Sequence, residues 1–188
     1  MARNFKIRHE LKNINFENKL ISWAKQRDAN SCGYCLIHNS NNYLNLPNFE
    51  GDPESIYKKI NLIRVQNDLI PKNREEMLNS FDLEKYYKEK GYSSNIFTNP
   101  IYDKKEIAEI IEKNNFDLIY TTSRNHYRGL IQRDQNNLYL LDSLHDSPHI
   151  ISKKDAISMA HESLGNEGVR INSVGVLKRT PKKFYINS

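Results

Sequence analysis

The chain has 188 residues, 38% of them hydrophobic and 27% charged, with a formal net charge of +5. That size suits one soluble domain with a substantial core, and no apolar run approaches the roughly 18 residues of a membrane span. Two cysteines three positions apart speak against a disulfide-stapled secreted fold. Basic doublets scattered along the chain, such as Lys58-Lys59 and Lys153-Lys154, speak against nucleic acid as a partner.

The first six residues, Met1-Ala2-Arg3-Asn4-Phe5-Lys6, lack an apolar signal-peptide core. The expected location is therefore cytoplasmic, or a host cytosol entered as a secreted effector by a route that reads no cleavable signal. Residues 1–20 are polar and weakly patterned, with Phe5, Ile7, Leu11, Ile14 and Phe16 able to line one amphipathic segment. Ser31 is a candidate N-cap for a helix that carries Cys35, Leu36, Tyr43 and Leu44 inward. Asp52-Pro53 reads as an N-cap followed by proline at the first helical position. That helix runs to about Asn67 with Ile56, Ile60, Ile63 and Val65 inward. A further helix is expected from Arg74 to Lys90, stopping at Gly91.

After Gly91 the period changes. Tyr92 to Thr98 reads as a strand, and Asp103-Lys104-Lys105-Glu106 opens a helix with Ile107, Ile110 and Ile111 on its apolar face. Strands are expected at Phe116–Tyr120, His126–Gln132 and Leu138–Leu141, the last two joined by the polar turn Asp134–Asn137. Ser152-Lys153-Lys154-Asp155 opens a helix to about Leu164, and Val169 to Leu177 reads as a final strand. Helices first, then a mostly antiparallel sheet with flanking helices, is an α+β order. The expectation is one domain over 1–188, with a helical insert at about 53–90.

Four residues in this layout point to chemistry. A thiolate attacks carbonyl carbon, and Cys32 at a helix start gains from the dipole there. The attack creates an oxyanion, for which the Cys32 N–H and the Gln26 side-chain amide can supply donors. His126 begins a strand and Asp142 ends its hairpin partner, so Asp142 can hold one ring nitrogen while the other serves the thiol. Gly33 leaves room for a substrate backbone beside the helix start. Each residue alone has an ordinary structural explanation, and the argument rests on their joint order and spacing. The spacing also selects the nucleophile. Six positions before Cys32 stands Gln26, a donor, whereas six before Cys35 stands Ala29, which has no side-chain donor. Cys35 is then a packed small hydrophobe.

With those residues in view the chain resembles papain-like cysteine peptidases, and among them the Josephin-type deubiquitinases, whose order is Gln, Cys, His, Asn/Asp. His126-Tyr127 resembles the family's His-Trp. The hairpin into Leu141-Asp142-Ser143-Leu144, then Pro148, Ile151-Ser152, a helix and a final strand follow the same layout, while residues 50–115 match only as helices between box and sheet. Asp142 stands where the family more often has Asn, and the Gln-to-Cys spacing is one longer and equals that of papain. The resemblance implies a Cys-His-Asp hydrolase cleaving peptide or isopeptide bonds at a ubiquitin C-terminus. It implies a protein substrate, ubiquitin or a ubiquitin-like protein, no cofactor or metal, and action as a monomer. Cys32-Gly33 also resembles the box of bacteriocin-processing peptidases, and bacterial effector glutamine deamidases use the same triad, so the catalytic class is better marked than the substrate.

Three other readings use the same residues. Cys32-Gly33-Tyr34-Cys35 would suit a thiol–disulfide oxidoreductase, which needs a strand immediately before the motif. Cys32, Cys35 and His38 have tolerable metal-ligand spacing but lack a clear fourth ligand, with His145, His149 and His161 scattered. A binding module on a degenerate hydrolase fold is the third.

Overall fold

A computed structural model describes residues 8–28, 30–45, 50–74, 76–98, 103–123, 126–165 and 173–180. The chain opens on an antiparallel hairpin, β1 (His9–Phe16) and β2 (Lys19–Gln26), where a weakly patterned segment was expected. Glu17 and Asn18 turn it with φ of 48° and 63°, the left-handed pair of a two-residue hairpin turn. Alternation along β1 leaves Leu11 exposed and half-buries Ile14 and Phe16 against the core. Phe5 and Ile7 lie outside the described residues.

The helix α1 (Cys32–Leu44) follows, buried at every position from Cys32 to Asn41. Ser31 stands at its N-cap without capping it; its Oγ donates to Arg8 O at 3.1 Å instead. Asp28 Oδ1 braces the turn, accepting from the Asn30 and Ser31 N–H groups at 2.9 and 2.8 Å. The helix α2 (Pro53–Gln66) starts as expected, Asp52 accepting from the Ser55 N–H at 2.8 Å. Ile56, Ile60 and Ile63 point inward, but Val65 is exposed. The helix α3 (Ser80–Glu89) starts six residues later than Arg74. Asn79 and Asp82 form a reciprocal capping box there, which fixes the start. The segment before it lies along α2, where Tyr57 Oη and Asn61 Nδ2 donate to Lys72 O.

The remaining elements are β3 (Tyr92–Phe97), α4 (Asp103–Glu112), β4 (Leu118–Ser123), β5 (His126–Gln132), β6 (Asn137–Asp142), β7 (His149–Ser152), α5 (Lys153–Gly165) and β8 (Val174–Arg179). The strand expected at 116–120 begins two residues later. The short β7 had no alternating signal of its own, and residues 169–172 of the expected last strand lie outside the described residues. Six strands pair antiparallel in the order β3-β8-β4-β5-β6-β7. The fold is α+β. Alternate residues feed two cores: Leu118, Tyr120, Tyr127 and Leu141 pack with α1, α2 and α3, while Ile119, Leu130, Leu138 and Val176 pack with α4 and α5.

Candidate active site

The helix α1 sits close on β5 because Gly129 has no side chain: a Cβ there would lie 2.6 Å from Leu36 Cδ1. A second seam ties α1 to β2. Asn39 presents its side-chain amide to Ala24 as a neighbouring strand would, accepting from Ala24 N–H at 2.7 Å and donating to Ala24 O at 3.0 Å. Next to it Ser22 Oγ and His38 Nε2 lie 3.0 Å apart. These contacts set the start of α1 between the end of β2, which carries Gln26, and the start of β5, which carries His126.

The β5–β6 register places Arg128 directly opposite Asp142, with His126 two residues along on the same side of β5. His126 Nε2 and Asp142 Oδ1 are 2.7 Å apart, so Nδ1 is the ring nitrogen left for a second partner. The Leu144 N–H donates to Asp142 Oδ1 at 2.9 Å, and Arg128 Nε donates to Oδ2, also at 2.9 Å. Burial raises the Asp142 carboxyl, but the hydrogen bond from His126, the Leu144 N–H and Arg128 together outweigh it and hold the group well below the usual carboxylate range.

Gln26 reaches the same place from the other side. Its N–H donates to Ser143 O at 2.9 Å, and Ser143 Oγ donates to Gln26 Oε1 at 2.6 Å. That bond orients the amide, whose Nε2 donates to Asp28 O at 3.2 Å. Its partner Ser143 directly follows Asp142, the last residue of β6.

Cys32 is the first residue of α1 and has no solvent exposure. Burial pushes its thiol up, while hydrogen bonds from the backbone N–H groups of Tyr127, Gly33 and Cys32 itself pull it down. The thiol therefore meets β5 at the residue after His126. The room expected at Gly33 is occupied: a Cβ there would meet the Leu78 side chain at 3.1 Å, and Tyr127 Oη donates to Leu78 O at 3.0 Å. Cys35 is buried and its thiol pushed far up, burial being the main cause.

The rival arrangements fare differently. Among the described residues β2 ends at Gln26 and pairs only with β1 in a two-stranded sheet, so the Cys32–Cys35 motif does not follow a strand of the main sheet. His38 Nε2 also lies 3.2 Å from Asn42 Nδ2, and among the described residues no group of three or more His, Cys, Asp or Glu is disposed to hold a metal ion. Arg128, Ser143 and the Leu144 N–H were not singled out from the sequence. Their roles depend on strand register and on the turn after β6, and a serine directly after the candidate acid was the available signal.

No family model and no curated protein matches the chain. Among solved structures it is similar to a double glycine motif protease from an AMS/PCAT transporter, solved with its leader peptide, at 11% identity and TM-score 0.49 over 92% of this chain and 94% of that one. It is similar to the peptidase domain of Streptococcus ComA, a bifunctional ABC transporter of a quorum-sensing pathway, at 12% identity and TM-score 0.48 over 83% and 96%. It is also similar to UfSP from C. elegans, at 8% identity and TM-score 0.49, over 95% of this chain but 36% of that one. Likenesses of this size carry no functional argument.

Proposed function

We propose that this chain is a papain-like cysteine hydrolase in which Cys32 is the nucleophile, His126 the base and acid, Asp142 its orienter and Gln26 an oxyanion donor. The observation that carries the reading is the 2.7 Å contact of His126 Nε2 with Asp142 Oδ1, beside a helix-start cysteine that meets the same strand at the Tyr127 N–H. His126 takes the thiol proton as Sγ attacks the substrate carbonyl. The Cys32 N–H and Gln26 Nε2 hold the oxyanion. Collapse breaks the C–N bond, and the leaving amine takes the proton from His126. Water then gives a proton to His126 and attacks the thioester, releasing the acid and restoring the thiol. No step calls for a metal or cofactor.

The proposed substrate is the peptide or isopeptide bond at the C-terminus of ubiquitin or a similar protein. Cys32 is covered and Leu78 packs on Gly33. A site that tight favours an acyl group as slim as glycine, which is how ubiquitin ends. An activity-based ubiquitin probe with a C-terminal electrophile is expected to label the wild-type chain and not Cys32→Ala. Gln26→Ala is expected to slow the reaction roughly 100-fold or more, the usual loss for one oxyanion donor. Labelling that survives Cys32→Ala would remove the nucleophile assignment. No labelling, together with a gain of about one dalton on an intact glutamine-bearing protein substrate, would make the chain a deamidase of the same triad.

A further inference from the structure

The buried carboxylate of Asp142 has a second ligand that the reaction above does not use. Its side chain is 4% exposed and both oxygens are taken: Oδ1 by His126 and the Leu144 N–H, Oδ2 by Arg128 Nε at 2.9 Å. The position of Arg128 is dictated by topology, since it is the direct cross-strand partner of Asp142. Its side chain is 30% exposed, so the cation is partly shielded from water on the side that meets the carboxylate.

We propose that Arg128 is a positioning residue that fixes the Asp142 carboxylate and sets how tightly His126 holds its proton. The proposal rests on His126 serving Cys32. A carboxylate facing an imidazole does two things. It orients the ring, and its negative charge makes the protonated ring harder to deprotonate. A general acid must give its proton to the leaving amine, so an unshared buried carboxylate would over-stabilise the imidazolium. Arg128 shares that charge. The second oxygen is engaged, the carboxylate cannot swing away from the ring, and the Asp142–Arg128 pair presents little net charge to His126. The other titratable groups that interact with Cys32 are Asp28 in the turn before α1, Cys35 on α1 and the buried, uncharged Tyr127 on β5.

The test reads the thiol rather than a substrate. Alkylation of Cys32 by iodoacetamide, followed by peptide mapping, is measured against pH. The wild-type profile is expected to show a step that is absent in His126→Ala. In Arg128→Gln that step moves to higher pH, by about 0.5–1 unit for a partly screened charge one residue removed from the ring. Arg128→Lys restores most of it. In an Asp142→Asn background Arg128→Gln moves the step no further, because the charge it balanced is gone. Arg128→Met gives the same comparison should the Gln variant not fold. A wild-type step that stays put in Arg128→Gln and Arg128→Met overturns the proposal. A wild-type profile identical to that of His126→Ala overturns instead the pairing of Cys32 with His126.

Discussion

At the scale of single residues, burial sets the resting charge of the site. Cys32 and Cys35 are both pushed up by burial, yet of the two Cys32 is met by a backbone donor from β5, the Tyr127 N–H. In the proposed mechanism the thiolate therefore has to form as His126 takes the proton. His38, one helical turn further along α1, shows the same force on a base. Burial lowers it from 6.5 to about 4, so it folds uncharged beside Ser22. The unfolded chain takes up that proton near pH 6.5 and the folded chain only near pH 4. Its contribution to stability is therefore complete above about pH 6.5 and is lost as pH falls through that window, up to about 3 kcal/mol. Urea midpoints measured from pH 7 to pH 4 are expected to fall in the wild type and to fall less in His38→Gln. Equal slopes would mean that His38 does not titrate with folding. Of the site itself, Gln26, Cys32, His126 and Asp142 were legible because their types and spacings carry chemistry. Arg128 was not. An arginine two residues after a histidine has no meaning until register sets it across from the aspartate.

At the scale of elements, the helix signals that are local in sequence were readable: Asp52-Pro53 before α2, Ser152 and Asp155 at the start of α5, and Gly91 after α3. What failed depends on partners elsewhere. The β1–β2 hairpin is weakly patterned because the half-buried face of β1 carries Glu10 and Lys12 beside Ile14 and Phe16, and its turn is Glu17-Asn18 rather than a glycine pair. The helix α3 starts later than its composition suggests because residues ahead of Asn79 are held by α2, Lys72 bonding to Tyr57 and Asn61. The seam of α1 with β2 is the element contact on which the proposed function depends most. Replacing Asn39 with Leu leaves the N–H and C=O of buried Ala24 without those partners, at a cost of roughly 2–4 kcal/mol. That seam also sets Gln26 relative to Cys32. Asn39→Leu is therefore expected to lower both the unfolding midpoint and the rate of turnover, measured below the new midpoint. A stability loss with unchanged turnover would show that the seam only supports the fold.

At the scale of the whole molecule, one sheet separates two cores, and the proposed catalytic residues gather at one end of the central strands, where α1, the end of β2 and the turn after β6 converge. The helices α2 and α3 share a core with α1: Ile56, Ile60, Leu83 and Tyr87 join Cys32 and Leu36 in one cluster. The region expected as a helical insert at 53–90 therefore packs into the same core as Cys32, and just before α3 Leu78 rests on Gly33. The account turns on Cys32 being activated by His126, and the most direct measurement compares alkylation of Cys32 and Cys35 in the native chain near pH 7. The account predicts that Cys32 alone reacts, at a rate that drops at least tenfold in His126→Ala, since an ordinary thiol is almost wholly protonated there. Equal rates in the two proteins, or modification of Cys35 instead, would contradict it.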